Sequence, residues 1–186
     1  MYCNVVGRVS ADYFLLTANT RKSETMTTFR PMRRRRQQLP EEACIEILSK
    51  STSGVLSVLG DDGYPYGVPL SYVMVGRRLY FHSALTGHKV DAVRRYDKAS
   101  FTIIYKDSVQ PCEFTTYYQS VVCFGRVRIV EDADEKMSAL RQLGERYNPG
   151  DAEGLQKEME QGAARLLMIA FDIESLTGKA AIEILR

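Results

Sequence analysis

The sequence predicts a mainly β protein, a six-stranded antiparallel barrel with flanking helices. Six apolar or alternating segments of the 186-residue chain have the pattern of strands, and tight turns join most of them. Helical periodicity occurs at the start of the domain, in its middle and near its end. The chain has no regular β-α-β alternation and no G-x-G-x-x-G motif, so a parallel dinucleotide-binding sheet is not expected.

The first part of the domain is predicted to be a helix followed by a hairpin. A proline and two acids at positions 40–42 are typical of a helix start, and apolar residues continue on one side to about Lys50. The segments 54–59 (GVLSVL) and 66–75 (YGVPLSYVMV) are predicted to be strands. The glycine-containing turn at 60–63 joins them, because glycine adopts the positive φ that such turns need.

A strand and a helix are predicted to meet in the segment YFHSALTGHK, which contains both histidines of the chain. Residues 78–83 alternate in polarity and are predicted to form a strand, so His82 should face away from Phe81. Thr86 is predicted to cap a helix over residues 87–96. The chain therefore places one histidine at a strand end and the other in the first turn of a helix.

The second half of the domain is predicted to hold three more strands and one helix. The strands cover residues 99–105, 114–130 and 166–173, and the helix covers residues 134–147. Gly125 lies in the middle of the long strand. A glycine there predicts a bend or a bulge, which closing a barrel requires.

Composition and charge exclude several classes of protein. Hydrophobic residues make up 45% and charged residues 26%, as in soluble globular proteins, and no apolar run reaches the roughly 18 residues of a membrane helix. Membrane insertion is therefore not expected. The net charge is only +2, and the run Arg33–Arg36 supplies four of the positive charges, so the rest of the chain lacks the positive charge that nucleic-acid binding needs. The four cysteines form no C-x-x-C motif in a chain without a convincing secretory signal, which predicts reduced thiols in the cytoplasm.

Residues 1–31 differ from the rest of the chain and are predicted to be an N-terminal extension. Its short apolar piece is surrounded by charges and hydroxyls, which favours a flexible tail. An ordered extension, or sequence upstream of a natural start at Met26 or Met32, stays open. Residues 32–186 are predicted to form the single folded domain.

The histidine-containing segment fits an anion site better than a metal site. The two histidines lie on different predicted elements with no third ligand nearby, which is unlike a zinc site. Ser83, Thr86 and Gly87 would bring hydroxyls and backbone N–H groups to the positive end of a helix, and His88 and Lys89 add donors and charge. From spacing alone, a capped helix with exposed basic residues stays equally open.

Three segments together resemble a known family. They are GVLSVLGDDGYP, YGVPLSYVMVGRRLYFHSALTGHKVDAVRR and EFTTYYQSVVCFGRVRIV. They resemble the FMN-binding split-barrel superfamily of pyridoxamine 5'-phosphate oxidases, and within it the nitroimidazole-resistance, nitroreductase-like branch. The resemblance covers about residues 32–186. It implies a homodimer of six-stranded split barrels with FMN in the clefts between protomers.

The resemblance also implies the site residues. One strand would run along the isoalloxazine with its backbone, the strand end and helix start would hold the phosphate side, and the partner's long strand would contribute near Ser120. The cofactor-binding residues so implied, together with Thr86 from the anion site, are Gly67, Val68, Pro69, Leu70, Ser71, Tyr72, His82, Ser83, Thr86, His88, Lys89 and Ser120. His82 matches an active-site histidine near the flavin and could orient a substrate or supply a proton. The alternative is a strand histidine that only hydrogen-bonds the cofactor or the backbone.

The function implied is that of an FMN-dependent oxidoreductase that passes electrons from NAD(P)H to a small acceptor such as a 5-nitroimidazole. The chain departs from the oxidases proper at His88-Lys89, where they carry an arginine-lysine pair, and its ending AIEILR lacks their Arg-x-His motif. Both departures argue against the vitamin substrate. The alternatives are a non-catalytic FMN- or haem-binding protein, a pyridoxamine-phosphate-oxidase-type enzyme, or the deazaflavin F420 in place of FMN.

Overall fold

The computed structural model describes residues 29–185. Most of the predicted N-terminal extension therefore lies outside the described residues. The helices are α1 (Glu41–Lys50), α2 (His88–Arg95), α3 (Ala133–Tyr147) and α4 (Ala152–Gly162). The strands are β1 (Gln38–Leu39), β2 (Ser53–Leu59), β3 (Pro65–Ser71), β4 (Val73–Val75), β5 (Arg78–Ala84), β6 (Lys98–Gln110), β7 (Thr115–Ile129) and β8 (Leu166–Ala180).

The strands form one antiparallel sheet that curls into a split barrel with flanking helices, which confirms the predicted fold class. Their order is β3-β2-β6-β7-β8-β5-β4, and β1 pairs with β8. The sheet has eight strands where six were predicted. One extra strand is the two-residue β1, and the other arises because the predicted strand at 66–75 breaks at Tyr72 into β3 and β4.

The break at Tyr72 has a physical cause. Its backbone N–H donates to the Tyr147 hydroxyl at 3.1 Å, and that hydroxyl lies 3.0 Å from the Tyr72 carbonyl oxygen, so a side chain takes the place of a strand partner. The Tyr72 ring is fully buried, and its hydroxyl donates to the carbonyl of Leu48 at 2.5 Å. A buried tyrosine with a satisfied hydroxyl is a stable anchor for the bend between the two strands.

Two apolar cores hold the helices to the sheet. The interior of the barrel contains Tyr72, Phe81 and Phe101, with ring centroids 5.0 Å apart for Tyr72 and Phe101 and 5.3 Å apart for Phe81 and Phe101. A smaller core under α3 includes Tyr80 and Leu143. Tyr80 lies on the face of β5 opposite Phe81, so α3 covers the outer face of that strand.

The cysteines in the described part of the chain are packing residues or surface thiols. Cys44, Cys112 and Cys123 are free, and Cys44 and Cys123 are buried. Burial raises the pKa of the Cys123 thiol to about 12, so it is neutral and unreactive at physiological pH. None of the helices in residues 29–185 is long and apolar enough to cross a membrane.

The bulge predicted at Gly125 is confirmed. The pairing of β7 with β8 shifts register between Phe124 and Gly125. A Cβ atom at Gly125 would lie 1.9 Å from the carbonyl oxygen of Asp172, so only glycine allows the two backbones to approach this closely.

Replacing Gly125 with alanine is therefore expected to destabilise the fold by about 2 kcal/mol or more, since neither backbone can move without disturbing the ladder. Gly162→Ala at the end of α4 is the matched control, because nothing lies within 4 Å of its added methyl group. Urea unfolding of both variants measures the effect. Equal midpoints for the two variants would contradict the packing described for the bulge.

The predicted cap of the second helix is wrong. Thr86 does not cap α2; Gly87 occupies the N-cap position, and no side chain there accepts a hydrogen bond from the helix. The φ angle of Gly87 is 124°, a conformation that residues with a side chain rarely adopt. The glycine therefore determines where α2 starts, and the hydroxyl of Thr86 does not cap the helix.

The region between α3 and β8 contains a helix, α4, that was not predicted. Asp151 caps α4 by accepting a hydrogen bond from the Gly154 N–H at 2.9 Å. Leu155 and Met159 follow one turn apart on the inner face. The predicted last strand was also too short, because β8 continues to Ala180 through its pairing with β7.

Candidate functional site

A cavity of about 690 Å³ lies between the sheet and the α3–α4 helix pair. Ser71 at the end of β3 and His82 on β5 contribute polar groups from the sheet side. The helical walls are mainly apolar and include Leu140, Leu143, Gly144 and Tyr147 of α3 with Leu155 and Met159 of α4. The cavity thus places Ser71 and His82 of the predicted site opposite two helices, of which α3 was predicted and α4 was not.

His82 faces this cavity without a protein partner. Its side chain is exposed, and it makes no hydrogen bond or ion pair with the rest of residues 29–185. Its orientation follows from strand geometry, because His82 alternates with the buried Phe81 and lies on the same face as Tyr80. An imidazole in this position is free to donate or accept a hydrogen bond from a bound molecule.

Ser83 lies on the other face of β5 from His82. It is only 6% exposed, like the neighbouring interior position Phe81. Adjacent residues of a strand point to opposite faces of the sheet, so the two side chains do not converge on one small group. The structure brings His82 together with Ser71, and it leaves Ser83 on the side of the barrel interior.

His88 is engaged in contacts with β3 and with the turn between β2 and β3. Its ring stacks on Tyr66 with 4.1 Å between centroids, and its Nε2 atom lies 3.6 Å from a carboxylate oxygen of Asp61. Asp61 also accepts a hydrogen bond from Arg95 at 2.6 Å, and this bond lowers the pKa of the Asp61 carboxyl. These contacts tie both ends of α2 to the turn.

Lys89 is a partly buried cation without a carboxylate partner among the described residues. Burial lowers the pKa of its ammonium group, because the charged form has lost hydration that no anion replaces. It lies in the first turn of α2, where the backbone N–H groups have no side-chain cap. A desolvated ammonium beside uncapped N–H groups is suited to a phosphate.

The strand β3 is the edge of the sheet, so one side of its backbone has no strand partner within the described residues. Gly67, Pro69 and Ser71 are exposed, and Val68 and Leu70 are partly buried. Pro69 has no N–H and interrupts the donors along that edge. A flat ring could therefore lie against this strand. The side chain of Tyr72 belongs to the core, as described above.

Ser120 is not part of the cavity in the single chain. It lies opposite Lys179 on β8, whereas His82 lies opposite Met168. The two β8 residues are separated by up to about 36 Å along the strand, at roughly 3.3 Å per residue. Eleven residues of β8 thus separate the pairing partners of Ser120 and His82, and Ser120 is not among the residues that line the cavity beside His82.

A charged network fixes the start of α3 to the sheet. Glu135 accepts hydrogen bonds from Arg128 at 2.6 Å, from Tyr80 at 2.8 Å and from Arg78 at 3.0 Å. The Arg128 bond is the largest cause of the lowered pKa of the Glu135 carboxyl. Arg78 also donates to Asp172 at 2.5 Å, so the network connects α3 with the strands β5, β7 and β8. It holds one wall of the cavity in place.

Glu135→Gln is expected to lower the melting temperature by about 2–4 °C at neutral pH, because a network of charged hydrogen bonds loses roughly 1 kcal/mol. The folded pKa of Glu135 is lowered, so its contribution is present above the ordinary glutamate value of about 4.3 and is lost as the pH falls through the folded value. The difference between native protein and variant should therefore shrink in acid. The exposed Glu46→Gln change is the control, and a pH-independent difference for Glu135→Gln would contradict this role.

The part of the cavity wall that α4 forms was not predicted from the sequence. The signal was present as a capping aspartate followed by Leu155 and Met159 at helical spacing. Within residues 29–185, no group of three or more His, Cys, Asp or Glu side chains is arranged to hold a metal ion. The candidate site thus combines an apolar cavity, a free histidine and a separate cation beside a helix start.

The fold defines a split-barrel protein, and the cavity, the free histidine and the cation at the start of α2 form its candidate site. Residues 40–180 match the family model described as pyridoxamine 5'-phosphate oxidase, which spans most of the chain. The protein belongs to this family.

Individual relatives agree with that assignment. A protein of Rhizobium meliloti is 28% identical over 152 residues, covering 77% of this chain and 93% of its own. A protein of Bacteroides thetaiotaomicron, assigned to 5-nitroimidazole antibiotic resistance, has a TM-score of 0.68 at 19% identity over 77% of this chain and 86% of its own. A flavocytochrome of Azotobacter vinelandii has a TM-score of 0.71 at 19% identity, covering 81% of this chain and 72% of its own. At this identity the two structures establish the shared fold.

Proposed function

We propose that this protein is an FMN-dependent oxidoreductase that uses NAD(P)H to reduce a small acceptor such as a nitroaromatic. The observation that carries the proposal is Lys89, a partly buried cation with a lowered pKa and no carboxylate partner within residues 29–185, beside the uncapped start of α2. Membership of the family and the free His82 at the cavity support it.

The residues present fit FMN. Its phosphate would bind Lys89 and the N–H groups of α2, with the exposed Thr86 as a further donor. Its ring would lie along the free edge of Gly67–Ser71. Bound FMN would supply hydride transfer from the nicotinamide and two-electron reduction of the acceptor. His88 is assigned a positioning role, since its contacts with Tyr66 and Asp61 fix the start of α2.

His82 is proposed to bind the acceptor and to donate a proton to it. Reduction of a nitro group to a nitroso group consumes two electrons and two protons and releases water, so one NAD(P)H and one further proton balance the step. An imidazole facing the cavity without a protein partner can donate that proton to the acceptor and then be reprotonated from solvent. The walls of α3 and α4 would exclude water from the reacting groups.

The active form is proposed to be a homodimer in which the partner's Ser120 completes the flavin site. In the described sheet, residues 108–110 pair with residues 115–117 alone and form a two-stranded ribbon, which is marginally stable by itself. Apolar side chains on this ribbon are exposed, namely Val109 at 67% and Phe114 at 97%, as is Ile104 at its base at 73%. Light scattering should give twice the mass of the chain, and a monomer that still binds FMN tightly would contradict the shared site.

A haem-binding role is the second candidate. It is favoured by the free His82 at the wall of a large cavity and by the fold shared with a flavocytochrome. In that case His82 would be an axial ligand. A Soret band that disappears in His82→Ala would support haem, whereas a flavin spectrum without a Soret band would support the first proposal.

The proposed reaction is tested by loading the protein with FMN and following NADPH and NADH oxidation with a 5-nitroimidazole. The matched control is the same imidazole without its nitro group. We expect turnover with the nitro compound and none above background with the control. Equal rates with both compounds would show simple oxidase activity, and no turnover with a range of nitroaromatics would reject the proposed acceptor class.

A further inference from the structure

We propose that the cavity between the sheet and α3–α4 binds the acceptor, and that it selects an uncharged, predominantly apolar molecule over an anionic or phosphorylated one. Helix α4 sets this selectivity through Leu155. The inference rests on the proposed oxidoreductase function, because it assigns the acceptor of that reaction to a particular surface. It goes further by stating which chemistry the surface accepts.

The helical walls lack a buried cation that could bind a phosphate. Leu140, Leu143, Leu155 and Met159 contribute apolar surface. Lys157 is the one basic residue of the helical lining; it is exposed and adjacent to Glu158. A phosphate entering this cavity would lose its hydration without gaining a buried counter-charge, which is costly.

The acids at the cavity are also unsuited to a cationic ligand. Asp151 accepts hydrogen bonds from the Gly154 N–H at 2.9 Å and from the Asn148 side chain at 3.2 Å, so the helix cap already uses it. Glu158 is exposed next to Lys157. An uncharged molecule with one hydrogen-bond acceptor, which His82 can satisfy, matches the lining best.

Leu155 controls the position of α4 relative to α3. A Cβ atom at Gly144 would lie 2.2 Å from Cδ1 of Leu155, so the leucine packs directly against the α3 backbone where a side chain is missing. Both residues line the cavity. The size and the polarity of the cavity therefore depend on this contact. A volume of about 690 Å³ is in the range of sites that bind drug-sized organic molecules, roughly 300–1,000 Å³.

The test is direct binding of two probes that differ in charge, nitrobenzene and 4-nitrobenzoate, measured by equilibrium dialysis on the FMN-loaded full chain without NAD(P)H. The native protein should bind nitrobenzene at least 10-fold more tightly. Leu155→Lys places a cation on the wall and should reduce or reverse that preference. Gln156→Lys adds the same charge one residue away on the exposed side, where Gln156 bonds Glu160, and should keep the native preference.

Two outcomes would overturn the assignment: equal binding of both probes by the native protein, or the same change of preference in Leu155→Lys and Gln156→Lys. If Leu155→Lys fails to fold, Leu155→Ala replaces it, and an unchanged nitrobenzene affinity in that variant would likewise contradict the assignment. Selective binding without turnover would support the cavity assignment while rejecting the proposed reaction. The two proposals can therefore fail independently.

Discussion

Replacing Lys89 with alanine is expected to weaken FMN binding by about 10- to 100-fold. A hydrogen bond to a charged group contributes about 1.5–3 kcal/mol, and each 1.4 kcal/mol is a factor of ten in affinity. The effect should be near the upper end because burial has already removed hydration from this ammonium group. Titration of FMN fluorescence with apoprotein measures the dissociation constant.

The exposed Lys98→Ala variant is the control for a general loss of positive charge. The pH dependence gives a second readout. The pKa of Lys89 is lowered in the free protein, so FMN affinity should fall as the pH rises through that value, because the neutral amine no longer attracts the phosphate. Lys89→Ala should lack this decline. The phosphate site would be misassigned if Lys89→Ala and Lys98→Ala bound FMN equally well.

His82→Gln is expected to lower kcat for nitroaromatic reduction by about 100-fold or more, with FMN binding unchanged. A positioned acid typically contributes a factor of about 10²–10⁴, and glutamine keeps a hydrogen-bond donor while losing the titrating proton. Steady-state kinetics with saturating NAD(P)H, together with the flavin content of each sample, separates the loss of proton transfer from a loss of cofactor.

The chain supplies a matched control in its only other histidine. His88→Gln should keep kcat within a few-fold and lower stability by about 1 kcal/mol, because it loses the stacking on Tyr66. Equal kcat values for the two glutamine variants would show that His82 does not participate in the chemistry.

Local patterns predicted much of this fold. Period-two alternation gave the strands and the outward orientation of His82, and Gly125 indicated the bulge. The break at Tyr72 was not predictable from its neighbours, because it depends on the hydroxyl of Tyr147, which is 75 residues away in the chain. The length of β8 likewise depends on pairing with distant strands.

The candidate site divides in the same way. Local sequence indicated a cation beside a helix start, but the burial of Lys89 and its lack of an anion are tertiary properties. The contacts of His88 with Asp61 and Tyr66 are also tertiary. They change its expected role from binding the cofactor to positioning the start of α2. The cavity required α4 to pack on Gly144, a contact that no periodicity in either helix specifies.

The most direct test of the central claim is the identity of the small molecule that the protein retains. Protein purified without added cofactor is denatured, and the released molecule is identified by mass spectrometry beside the absorption spectrum of the intact sample. The proposed function predicts FMN, up to one per chain, with the spectrum of an oxidised flavin and a content that falls in Lys89→Ala. Haem with a Soret band, F420, or a protein that takes up no FMN when it is supplied would contradict the proposed function.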